Sequence, residues 1–231
     1  MNQRLLQLAI GPAALVLLGC AGRAAADLVT LYPTDDSMIK MSAPDNNYGA
    51  NGAICLRNRY GSPQHPDHFE RDGLIRFDLS ELPPDSVVTS AVMSLYYYKW
   101  KDNNPVGRLL TCYRLTSDWD EDTVTWNTRP SKMDEPTCES AVPGQPGQWM
   151  DWDVTSDVDA FLADPDIRNF GWEIMDEEPW GQYNIPMTYF YTKEYSDDYG
   201  NYMPHLTVDV VPGPATLTLL AAGALKLRRR R

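Results

Sequence analysis

From residue 75 onward the chain repeatedly alternates apolar with polar positions. Ile75, Phe77 and Leu79 are interleaved with Arg76 and Asp78, as in a strand with one buried and one wet face. The longest such run is Val87 to Trp100: Ala91, Met93, Leu95 and Tyr97 share one face, and Ser94, Tyr96, Tyr98 and Trp100 share the other. Leu109 to Leu115, Gly171 to Asp176, Thr188 to Lys193 and Leu206 to Val210 are rich in branched and aromatic residues and read as further strands. Turn residues collect between them, at Pro63 and Pro66, Pro83-Pro84, Pro143 to Gly147 and Pro179 to Gly181. One segment, Val154 to Ala163, has helical spacing. Thr155 stands as its expected cap, Asp157 and Asp159 in its first turn, Val158, Phe161 and Leu162 along one side, and Pro165 at its end. Many short strands, one short helix and no internal repeat predict an all-β fold, a two-sheet antiparallel jelly-roll sandwich.

The two ends do not follow this pattern. Arg4, an apolar run from Leu5 to Leu18 and the small residues Ala24-Ala25-Ala26 form a secretory signal peptide over residues 1–26, with cleavage expected before Asp27. Leu17-Leu18-Gly19-Cys20 offers a lipoprotein-type alternative, with a poorer fit at its leucine. The last segment, 212–231, continues Val211-Pro212-Gly213-Pro214-Ala215-Thr216-Leu217 into a short apolar run and Arg228 to Arg231. It resembles the PEP-CTERM sorting signal of Gram-negative bacteria, with Gly213 where that signal has glutamate and an apolar run shorter than a full membrane span. The resemblance implies export, a secreted or cell-envelope location, and a sorting protease as partner. An ordinary amphipathic tail is the plain alternative.

Residues 27–211 remain as one domain. Seven of the 20 basic residues and none of the 32 acidic ones lie in the two ends, so this domain carries a net charge of −19. Such a surface repels phosphate backbones and excludes nucleic acid as a partner. It also disfavours strongly anionic polysaccharides unless cations bridge the two. Three cysteines lie in the domain, Cys55, Cys112 and Cys138; in an oxidising compartment Cys112 and Cys138 are the expected pair.

Catalytic chemistry finds little support. Glu121-Asp122 and Glu177-Glu178 are adjacent acids, whereas a glycosidase needs two carboxylates facing each other across a cleft. His65-Pro66-Asp67-His68 groups two histidines with an acid, which suits a metal or proton transfer but also a proline-stiffened exposed loop. Hard oxygen donors recur in expected loops, at Asp35-Asp36, Asp45-Asn46-Asn47 and Asp197-Asp198. Asp35, Asp36 and Asp45 are therefore candidate ligands for a structural calcium, with solvated acidic turns as the alternative. For sugar binding, the row Tyr96, Tyr98 and Trp100 offers flat faces, with Arg76 and Arg114 as hydrogen-bond donors; Trp180 and Tyr183 offer a second, edge site. The alternative is that the row is covered by the opposite sheet or by a loop.

A series of short motifs runs through the domain: Asn47-Tyr48-Gly49, Arg76-Phe77-Asp78-Leu79-Ser80, Ser90-Ala91-x-Met93-x-Leu95-Tyr96, Trp152-Asp153-Val154-Thr155, Asn169-x-Gly171, Thr192-x-Glu194 and Pro204-x-Leu206-x-Val208. The most specific piece is Trp119-Asp120-Glu121-Asp122-Thr123-Val124-Thr125-Trp126-Asn127-Thr128-Arg129-Pro130. In this order they resemble the DNRLRE domain, a disaggregatase-related module treated as a carbohydrate-binding family. The resemblance implies a secreted jelly-roll module that associates with polysaccharide; one branch of the family binds alginate. Trp119, Val124, Trp126 and Trp152 are expected to pack the sandwich rather than touch ligand, and Asp78, Asp153, Thr123 and Asn127 to satisfy turns. The leading expectation is an exported, non-catalytic module that binds or organises polysaccharide. A matrix or adhesion protein with a protein partner comes second, and a glycan-cleaving enzyme third.

Overall fold

A computed structural model describes residues 26–58, 69–180, 184–195 and 201–213. The segments expected to be a signal peptide (1–26) and a sorting tail (212–231), His65-Pro66-Asp67-His68, Tyr183 and Asp197-Asp198 lie outside the described residues, apart from Ala26, Pro212 and Gly213. Eleven strands and one helix follow in order: β1 (Asp27–Leu31), β2 (Pro33–Lys40), β3 (Ala53–Leu56), β4 (Arg71–Phe77), β5 (Ser86–Lys101), β6 (Leu109–Arg114), β7 (Cys138–Ala141), β8 (Gln148–Asp153), α1 (Thr155–Ala163), β9 (Trp172–Met175), β10 (Met187–Tyr191) and β11 (His205–Pro212).

They form two antiparallel sheets. The first has the order β1-β11-β5-β10-β3 with β8 also on β5, and the second the order β2-β4-β9-β6-β7. This is the expected two-sheet sandwich with one short helix. The long strand β5 organises the first sheet. Ser94 is in register with both His205 of β11 and Asp151 of β8, so these two strands take opposite edges of β5. Tyr97 is in register with both Phe190 of β10 and Gln148 of β8. It follows that β10 and β11 lie end to end along one edge, with β8 on the other.

The period-two pattern of β5 places Ala91, Met93, Leu95 and Tyr97 in the core, each essentially buried. They meet Ile75, Phe77, Leu110, Trp172 and Ile174 of the second sheet in one apolar cluster. Trp152 is fully buried there, and its indole N–H donates to the Leu110 carbonyl at 2.9 Å, tying β8 to β6 across the layers. A smaller cluster holds Trp119, Val124 and Trp126 against Ile39, Leu74 and Leu115. The large residues of the signature motif are thus packing anchors, as expected.

Several local expectations are corrected. The helix cap is not Thr155: position Val154 caps α1 without a side-chain bond. The Asp153 carboxylate instead accepts from the Thr155 N–H at 3.0 Å and from its hydroxyl at 2.6 Å. Leu162 is 40% exposed, while Val158 and Phe161 face the core. Asp35 and Asp36 lie in β2 rather than in a loop. Cys112 and Cys138 face each other in register on β6 and β7, but both thiols are free, as is Cys55. The Asn169-x-Gly171 motif has a clear physical reason. Gly171 has φ +82°, and a Cβ there would stand 2.1 Å from the Ile75 carbonyl oxygen, so only glycine fits.

Candidate functional site

The outer face of the first sheet is lined with aromatic rings. Tyr98 of β5 stacks on Tyr191 of β10 with centroids 4.1 Å apart, and Tyr191 stacks in turn on Tyr195 at 3.6 Å. Tyr96 meets Tyr202 at 4.3 Å and lies in a T-shaped contact with Trp149, its cross-strand partner on β8, at 5.2 Å. Trp149 then contacts the His205 ring edge-on at 4.6 Å. The alternation of β5 and β10 produces this face, since every second side chain points away from the core.

A bulge alters the far end of β5. Tyr189 pairs with Lys99, but the next residue, Phe190, pairs with Tyr97, so Tyr98 is an extra residue in the ladder. Such an insertion resets the alternation. Lys99 therefore joins the aromatic face, its Nζ 5.1 Å from the Tyr98 ring centroid and 4.6 Å from that of Tyr189. Trp100 pairs with Thr188 and takes the opposite face. The expected row thus keeps Tyr96 and Tyr98 together and separates Trp100 from them.

In a stack the ring faces cover each other, leaving edges and hydroxyls to meet a ligand. More exposed rings are found at one end, around a shallow depression of about 340 Å³ lined by Thr30, Tyr32, Trp149, Asn201, Met203, His205 and Thr207. Tyr32 is 57% exposed and Trp149 37% exposed. Thr30 and Thr207 are cross-strand partners on β1 and β11, which places their hydroxyls beside each other. Flat apolar rings flanking a set of hydroxyl, amide and imidazole groups is the arrangement that a sugar ring requires: stacking on its C–H face and hydrogen bonds to its hydroxyls. The face is also uncharged at neutral pH where the tyrosines are concerned. Burial raises the Tyr98 phenol, pushes Tyr189 up to about 12, and, after a hydrogen bond with Tyr195, also raises Tyr191.

Other predicted residues lie elsewhere. Arg76 is on β4 of the second sheet, bonded to Asp35 at 2.9 Å and Asp118 at 2.8 Å, with its guanidinium over the Trp119 ring. The hydrogen bond to Asp35 holds its guanidinium pKa above the usual value. Arg114, on β6 of the same sheet, reaches Asp157 at 3.6 Å and lies over Phe161. Trp180 is half-buried; Arg108 lies 5.5 Å over its ring, and its N–H donates to Asn184 at 3.3 Å. None of these three meets the tyrosine stack in a ring contact among the described residues. Asp45 is exposed and accepts from Asn127 at 2.8 Å, and Asp35 is bonded to Arg76. The three candidate calcium ligands therefore do not converge. Asp36 instead meets Glu121 and Glu194, with one oxygen of each acid within 4.8 Å of the others.

Tyr32, Trp149, Asn201 and His205 were not singled out from sequence. Trp149 belongs to an alternating segment, Gln148–Asp153, that follows a proline- and glycine-rich turn; its alternation was the available signal. Of the adjacent acids, Glu121 points inward while Asp122 is exposed, and Glu177 accepts from the Tyr113 hydroxyl at 2.7 Å. Neither pair faces itself across a cleft.

A β-sandwich with an aromatic, hydroxyl-lined outer face defines a class of sugar-recognising modules. Residues 27–201 match the model of carbohydrate-binding module family 96, and the chain belongs to that family. No curated protein matches the chain.

Proposed function

We propose that this chain is an exported, non-catalytic module of the DNRLRE type that holds polysaccharide on the outer face of its first sheet. Tyr32 and Trp149 stack on sugar rings, Thr30, Thr207 and His205 meet hydroxyls, and the tyrosine stack extends the surface along β5. The observation that carries this reading is the pair of accessible rings flanking a polar depression on a domain of a carbohydrate-binding family. The polymer is neutral: the domain is strongly acidic, and Lys99, the cation packed on the tyrosine face, is already held over two rings. A binding role fits the acids, since the inward Glu121 is committed to the Asp36 N–H and to Lys193. The terminal segments support export and retention at the cell envelope.

Affinity electrophoresis of the purified protein through gels containing glucan, mannan, xylan or alginate tests this. Retardation by at least one neutral polymer is expected. No retardation by any of them, with or without calcium, contradicts the proposal.

A further inference from the structure

Asp36, Glu121 and Glu194 come from three distant segments: β2 of the second sheet, the loop after β6, and the turn after β10 of the first sheet. Four of their six carboxylate oxygens have donors. The Asp36 N–H donates to Glu121 Oε1 at 2.8 Å, the Lys193 N–H donates to Asp36 Oδ2 at 2.8 Å, and the Lys193 ammonium bonds Glu121 Oε2 at 2.8 Å and Glu194 Oε1. The remaining two, Asp36 Oδ1 and Glu194 Oε2, are buried with no hydrogen-bond partner among the described residues. Asp36 as a residue is fully buried. A buried polar atom left unpaired is costly, and a buried carboxylate oxygen more so.

Charge points the same way. With the three carboxylates in the ionised form that a cation requires, the single Lys193 ammonium leaves two negative charges in a mostly buried site, which is the deficit a divalent cation fills. All the donors are hard carboxylate oxygens, the set that calcium or magnesium prefers.

The surroundings hold this cluster in place. Asn47 Nδ2 donates to the carbonyls of Glu121 and Val124 at 2.7 and 2.8 Å, and its Oδ1 accepts from the Gly49 N–H. A Cβ at Gly49 would lie 2.4 Å from the Glu121 carbonyl oxygen. Thr192 donates to the Asn51 carbonyl at 2.7 Å, fastening the end of β10 to the same loop. Three separate signature motifs, Asn47-Tyr48-Gly49, the tryptophan-to-proline segment and Thr192-x-Glu194, therefore converge on the three acids.

We infer that Asp36, Glu121 and Glu194 form a divalent-cation site, with calcium the preferred ion, that ties the two sheets together. Asp36 Oδ1 and Glu194 Oε2 are the principal ligands, Glu121 contributes alongside its bond to Lys193, and water completes the shell. The ion has a structural role and lies on residues separate from the polysaccharide face. The rival account places a proton between Asp36 Oδ1 and Glu194 Oε2, which would satisfy both oxygens without a metal.

The test is calorimetric titration of the chelator-treated full chain with calcium chloride and with magnesium chloride, paired with thermal melts at neutral pH. Calcium is expected to bind with one-to-one stoichiometry. At a hundredfold excess over Kd it is expected to raise Tm on the order of 5–10 °C. Glu194→Gln, at a partly exposed position, is expected to fold and to lose at least tenfold in calcium affinity. Lys193→Met removes the competing ammonium and is expected to bind calcium more tightly while melting lower in chelator. Absence of binding heat, with a Tm indifferent to calcium and magnesium in the parent chain and in Lys193→Met, overturns the inference and supports the shared proton.

Discussion

The outer face of the first sheet and the carboxylate cluster between the sheets use polar chemistry in opposite ways. On the face, tyrosines stack at 3.6–4.1 Å and stay partly exposed. In the cluster, Asp36 is fully buried, and three carboxylates are gathered around Lys193, two on its ammonium and Asp36 on its backbone N–H. Asn47-Tyr48-Gly49, the segment Trp119 to Pro130 and Thr192-x-Glu194 meet at the cluster and at the packing of Trp119 and Trp126. The difference teaches that the carboxylate cluster is built from loops fastened together by specific hydrogen bonds, while the surface available to a ligand is built from ordinary strand alternation.

This contrast can be broken most forcefully at Glu121. Replacement by alanine removes the acceptor for the Asp36 N–H and one partner of Lys193. A loss of about 3 kcal/mol is expected, measured by chemical denaturation, while the molecules that remain folded retain polysaccharide affinity. Equal loss of affinity in the folded fraction would erase the distinction between the regions.

The next effect is on pH dependence. Burial pushes the Asp36 carboxyl up to about 8; the Lys193 N–H lowers it, and the charges of Glu194 and Glu121 add to the rise. The folded state then binds more protons than the unfolded chain between about pH 4 and pH 8. Stability in chelator is expected to be fullest below pH 4 as far as this group is concerned, and to fall as pH rises to 8, by at most about 1.4 kcal/mol per pH unit. Burial also raises Glu173, to about 7, and adds to the same slope. Melting curves across this range should show the decline, and Asp36→Asn should reduce it to the share of Glu173. A Tm that climbs with pH through the window would contradict the assignment.

Smaller effects belong to the face. Trp149→Ala is expected to weaken polysaccharide binding about tenfold, or about 1.4 kcal/mol, with little change in Tm because the ring is partly exposed. Trp100→Ala is expected to leave binding within about twofold of the parent, since the bulge at Tyr98 turns it away from the stacked rings. Affinity electrophoresis on the same polymer reads both, and equal losses would mean that the bulge does not divide the row.

Much of the sandwich was legible because burial on one side of a strand leaves a period of two. Val87 to Trp100 was read within one residue at each end of β5, and the inward set Ala91, Met93, Leu95 and Tyr97 is the buried one. The same rule failed after Tyr97, because a bulge depends on the partner strand and leaves no mark in local alternation. β2 escaped notice because Asp35-Asp36-Ser37 looks like a solvated turn, yet Asp36 and Ser37 are fully buried by partners far along the chain. The cluster was half visible: Asp36 was a candidate ligand, but Glu194 is brought to it only by the pairing of β10 within the first sheet. Tyr32 and Trp149 were not distinguished from other aromatics because their value lies in exposure, which arises when β1, β11, β5 and β8 are laid side by side.

The central claim is that open rings on the first sheet hold the polymer. Its most direct test is the dissociation constant of Tyr32→Ala/Trp149→Ala for the neutral polysaccharide that retards the parent chain, measured beside the Tm of both proteins. The account predicts a loss of roughly thirtyfold or more at nearly unchanged Tm. Undiminished affinity in the double variant would contradict it.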